Sequence, residues 1–102
     1  MSNIKQARNA LTSRILEGEG KASPSDRRGA FNNSGLVEPL GTLVDKVARH
    51  AHRITDEDIA ATRKSGLSED QVFEIVVCAA IGQASRQYDA ALAALKAATG
   101  KE

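Results

Sequence analysis

A chain of 102 residues with a net charge of +1 reads as one domain, 1–102, and has no field to steer polyanions, which excludes nucleic acid as an expected partner. Aromatic residues make up 3%, so any core must come from Leu, Ile, Val and Ala. No apolar run reaches the roughly 20 residues of a membrane span, and a single cysteine excludes an internal disulfide.

Alternation of β-branched with polar residues is nowhere sustained, whereas helix start and stop signals are frequent. The expected fold class is therefore all-α, a small domain of about five helices ending in a long packing helix. The first helix is predicted from about Asn3 to Glu17, with Ile4, Ala7, Leu11 and Ile15 as one apolar stripe, and Gly18 and Gly20 end it. A second start lies in Ser23-Pro24-Ser25-Asp26, where serine caps, proline fits the first helical position and the acid favours the dipole. That short helix should stop near Asn32-Asn33-Ser34-Gly35. A third helix begins after that turn, interrupted or delayed by Pro39 and Gly41, and carries Leu40, Leu43, Val44, Val47 and Ala48 toward His52. These early elements (1–40) precede a helical core at 41–99.

The two remaining starts are clearer. Thr55 with Asp58 resembles a capping box, although Asp reaches back less well than Glu or Gln, and Ser68 with Gln71 fits the pattern. Gly66 sits where a left-handed C-terminal cap is wanted, with Lys64 in the last turn. One helix is thus predicted over Asp56 to Ser65 and another over Glu69 to Thr99. The last helix holds IVVCAAI at Ile75 to Ile81, apolar on every face, and a helix of that kind must be surrounded. Beyond Tyr88, only Asp89 and Lys96 interrupt an Ala/Leu run before Thr99. So small a domain cannot wrap both halves, which predicts packing against another subunit; the residues expected in core or interface are Val72, Ile75, Val76, Ile81, Leu92 and Leu95.

Cys78 is the strongest nucleophile available, either a peroxidatic or sensing thiol or a small hydrophobe of a buried helix. Its sequence neighbours Val76, Val77, Ala79, Ala80 and Ile81 offer no cation, and Glu74 one turn earlier disfavours a thiolate. His50 and His52 lack metal-ligand spacing and read, with Arg49 and Arg53, as the positive end of a helix. Asp56, Glu57 and Asp58 read as first-turn acids. Arg86 and Tyr88 could line a groove, an interface or a solvated side. No phosphate loop or Ser-His-acid set is present, and no cofactor or metal is expected.

The stretch GLSEDQVFEIVVCAAIGQASRQYDAALAAL, preceded by a short helix ending at Gly66, resembles the alkylhydroperoxidase D-like (carboxymuconolactone decarboxylase) superfamily over roughly the last 55 to 60 residues. The resemblance implies an all-helical fold that assembles into trimers, hexamers or similar rings. It would also imply, in the redox branch, a Cys-x-x-Cys pair and a histidine four residues further on. Counted back from Gly66, those positions fall near Ala51, Ile54 and Asp58, none of which matches, and Cys78 lies in the following helix. A disulfide exchange needs an attacking and a resolving thiol, so that chemistry has no residues to carry it.

The expected function is accordingly a non-catalytic, oligomeric helical protein acting by assembly or partner contact, with a homo-oligomer or a related protein as partner. One alternative is a thiol-dependent peroxidase or sensor using Cys78. A second is a small-molecule module, for aromatic acids or lactones, around Arg86 and Tyr88. The lone cysteine and the lack of a secretory signal or membrane span point to the cytoplasm.

Overall fold

The computed structural model describes residues 2–100, and these form five α-helices and no strand. They are α1 (Ser2–Glu17), α2 (Pro24–Asn32), α3 (Leu40–Arg49), α4 (Asp56–Lys64) and α5 (Glu69–Thr99), with a 3₁₀ turn at Ala51–Arg53. At about 1.5 Å per residue, the 31 residues of α5 span about 46 Å and define the long axis of a molecule measuring 50 × 29 × 20 Å.

Local chemistry accounts for most boundaries. Ser23 accepts from the Asp26 amide to start α2, and Asn33, left-handed at φ 52°, ends it. Thr55 and Asp58 complete a reciprocal capping box on α4, and Ser68 and Gln71 do the same on α5. The shorter Asp58 carboxylate reaches the Thr55 amide at 2.9 Å. Gly66 (φ 113°) takes the left-handed step between α4 and α5.

The core lies where α2 and α3 cross the first half of α5. Ala22, Ala30, Leu40, Val44, Ile75, Cys78 and Ala79 form one buried cluster, flanked by Ile15, Leu16, Leu36, Val47 and Leu67. Gly82 makes the closest approach: a Cβ there would come 2.0 Å from the Phe31 carbonyl oxygen. The glycine in mid-helix lets the end of α2 lie directly on α5, compensating for its poor helix propensity.

Three expectations are corrected. The third helix stops at Arg49 instead of running to His52, because His50 leaves helical space at φ −144° and a 3₁₀ turn follows. The stripe of α1 does not dock as a unit: Ile15 is half-buried against the core, but Ile4 and Leu11 remain 50% and 45% exposed while Arg8 and Thr12 are half-buried instead. The IVVCAAI segment is not surrounded within one protomer: Ile75, Cys78 and Ala79 are buried, Val76, Val77 and Ile81 half-buried, and Ala80 exposed. The four shorter helices, α1 to α4, have too little surface to encircle a rod of that length.

Candidate functional site

Cys78 is sealed by α1 and α2. Its thiol is 1% exposed, with Sγ 3.6 Å from the Ile15 carbonyl oxygen. Burial pushes the thiol pKa up; nearby Arg27 pulls it down and Glu74 adds to the rise, leaving it above the ordinary cysteine value. The expectation that no cation lies near Cys78 is therefore corrected. Arg27 is distant in sequence, but the return of α2 across α5 brings it in.

Arg27 itself is 5% exposed and acts as a brace. Its Nη1 donates to the carbonyl oxygens of Ile15 (3.3 Å) and Gly18 (2.8 Å), at the end of α1 whose last carbonyls lack helical partners. Its Nε is buried without a partner. Glu74 accepts from the amides of Lys21 and Ala22 at 2.9 Å, fastening the Gly18–Ser23 connection to α5. Burial raises the Glu74 pKa, yet those two amides and the charges of Arg27 and Lys21 outweigh it and hold the carboxyl below its ordinary value. A cleft of about 220 Å³ opens beside this group, lined by Arg14, Ile15, Phe73, Glu74, Val77 and Cys78 among others. A buried thiol with a raised pKa and a carboxylate at hand is poorly placed to act as a nucleophile.

The other candidates separate. The rings of His50 and His52 meet edge-to-face with centroids 6.3 Å apart, brought together by the break after Arg49. Among the described residues no three His, Cys, Asp or Glu side chains converge as metal ligands would. Asp58 is used structurally: Lys46 Nζ donates to both its oxygens at 2.9 Å, and that bond, followed by the one from the Thr55 amide, holds its pKa down. Ala51 and Ile54, where the resemblance would place the redox pair, lie in the 3₁₀ turn and at its exit.

Arg86 and Tyr88, for which a groove, an interface or a solvated side were all open, fall in two separate places, because residues two apart on a helix point about 200° apart. Arg86 donates to the Phe31 carbonyl (2.6 Å) and to Gln83 (2.9 Å), beside a shallow cavity of about 450 Å³ with Asn32, Asn33 and Arg49. Tyr88 lies under the guanidinium of Arg8, 5.0 Å from its ring centre, and Arg8 is also paired with Asp89 at 2.7 Å.

Beyond the core, α5 presents an apolar line that its own chain covers only in part. Val77, Ile81, Ala84, Tyr88, Ala91 and Leu95 follow one another at alternating steps of four and three residues, and Ala98 continues the series. That spacing is the 3.5-residue repeat of helices that pack side by side. Val77 and Ile81 are half-buried, the alanines are exposed, and Tyr88 and Leu95 are 43% and 58% exposed. The positions beside the line, Ala80, Gln87 and Ala94 on one flank and Cys78, Ser85 and Leu92 on the other, carry no formal charge. Arg86, Asp89 and Lys96 fall off it. Because Arg8 meets Asp89 and Ile15 meets Cys78, α1 runs antiparallel to α5, and its register turns Ile4 and Leu11 to the same side.

The six expected core or interface residues thus divide. Val72 and Ile75 are buried in the core, Val76, Ile81 and Leu92 are half-buried, and Leu95 is exposed. Ala84, Tyr88, Ala91 and Ala98 belong with Ile81 and Leu95 in one line, and the four-three spacing was the signal that could have found them. Among the described residues no helix is long and apolar enough to cross a membrane. Compared with family models, with curated proteins and with solved structures, the chain has no match.

Proposed function

We propose that this protein works by assembly, as a non-catalytic helical subunit that pairs with further copies of itself through the uncovered side of α5. The observation that carries the reading is the apolar line from Val77 to Leu95, whose outer half α1 covers only in part, by Arg8 over Tyr88, leaving Tyr88 and Leu95 43% and 58% exposed. Exposed apolar surface of this continuity marks contact sites in soluble proteins. Kinship with the alkylhydroperoxidase D-like superfamily is part of the proposal, supported by the capped Gly66-Leu67-Ser68 turn and the long helix after it. The missing dithiol fits a lineage that keeps assembly without redox chemistry, and an unpaired cysteine fits a reducing cytoplasm. Thiol catalysis fits less well, because burial and Glu74 outweigh Arg27 at Cys78.

Light scattering coupled to size exclusion tests the reading. The protein should elute as a multiple of the single-chain mass at micromolar concentration. Leu95→Glu, at a side chain 58% exposed in the protomer, should leave the helical content intact and yield single chains. A wild-type protein that runs as a single chain would refute the proposal.

A further inference from the structure

Along the line on α5, residue size alternates with the repeat. Ile81, Tyr88 and Leu95 hold one of its two positions, and Ala84, Ala91 and Ala98 hold the other. The occupant of this face, if copies pair as proposed above, then has a defined direction. In a parallel pair, like positions meet: Tyr88 would face Tyr88 and Ala91 would face Ala91, so bulges would alternate with gaps along the contact. In an antiparallel pair, each position of one kind meets one of the other kind. Large residues then rest on alanines in every layer, which is how well-packed interfaces interdigitate.

We infer that two copies pair through antiparallel α5 helices, in the register that sets Ile81 on Ala98, Ala84 on Leu95 and Tyr88 on Ala91 of the second copy. The two-fold axis then passes between Asp89 and Ala90. Three further features agree with this arrangement. The α5 positions flanking the line carry no formal charge, and the one cation over it, Arg8 on Tyr88, is paired with Asp89 of its own chain. Opposed helix dipoles favour the antiparallel direction. The same two-fold lays the two α1 helices side by side, which covers Ile4 and Leu11, the apolar residues that α1 leaves 50% and 45% exposed. The product is a four-helix bundle made of two α1–α5 hairpins.

The register is read by cysteine cross-linking of the full-length protein, with native Cys78 sealed at 1% exposure. In Ala91→Cys, the second copy's residue lies three positions along the helix, about 4.5 Å; in Ala84→Cys it lies eleven positions along, about 16 Å. A short bismaleimide should therefore link Ala91→Cys into covalent dimers and leave Ala84→Cys single on a denaturing gel. Cross-linking of both variants would mean a parallel pair, and of Ala84→Cys alone a different antiparallel register. Either result overturns the inference while leaving assembly intact. Neither variant linking, in a protein that light scattering finds oligomeric, would place the contact on another face and also overturn it. A single-chain mass for the wild type would remove the reading on which it rests.

Discussion

At the scale of single residues, the group around Arg27, Glu74 and Cys78 is a fastening. Glu74 holds two amides of the Gly18–Ser23 connection, and its folded pKa lies below the ordinary value of 4.5. A depressed carboxyl contributes stability that is complete above its unfolded pKa and disappears as pH falls through the folded value. The melting temperature should therefore hold from neutral pH down to about 4.5 and fall below it. Asp58 acts with the same sign through Lys46. Glu74→Gln removes the charge and turns one acceptor into a donor that faces an amide. It should cost about 1–3 kcal/mol at neutral pH and flatten the acid limb of the profile, both measurable by urea titration at pH 3 to 7. A profile identical to that of the wild type would refute this role. At Cys78, iodoacetamide at neutral pH should modify the native protein far more slowly than the unfolded chain, since the thiol is enclosed and its pKa raised. Rapid native labelling would revive the thiol reading.

At the scale of the helices, Gly82 sets the distance between α2 and α5. Its Cβ-free face meets the Phe31 carbonyl, and backbone cannot yield as a flexible side chain can. Gly82→Ala should therefore destabilise by about 3 kcal/mol or more, despite alanine's better helix propensity, as chemical denaturation would register. A stabilised variant would mean that the crossing is looser than described. This position also marks how far the sequence could be read. Caps at Ser23, Thr55 and Ser68 and stops at Gly18, Asn33 and Gly66 are local signals, and the helices they bound follow them closely. Contacts across many residues are not local. Nothing beside Gly82 announces Phe31, and nothing beside Cys78 announces Arg27, because folding alone brings them together. The stripe of α1 was legible as apolar, but not its rotation, since Arg8 finds Asp89 and Tyr88 on α5 and turns Ile4 and Leu11 outward. Of the candidate site, greasiness in α5 was legible in composition, whereas which residues share its open side required knowing where α1 and α2 lie.

At the scale of the whole molecule, the protomer is drawn out. Its radius of gyration of 15.3 Å exceeds the roughly 13 Å of a compact chain of this length, because the second half of α5 leaves the core with only α1 beside it. A two-helix arm with one apolar side open gains little from its own chain, so its stability should come from whatever covers that side. If copies supply the cover, association is linked to folding by mass action, and the melting temperature depends on concentration. A tenfold rise in protein well above the dissociation constant adds about 1.4 kcal/mol per pair, shared between two chains. For a domain of this size that is about 3–5 °C per decade. Leu95→Glu should melt lower and show no such slope, since a carboxylate cannot be buried against the alanine opposite without a partner. Calorimetry of both proteins over two decades of concentration separates the cases. Coincident wild-type melts at every concentration would mean that the arm is stable uncovered, and that its open side has no copy of this chain to meet.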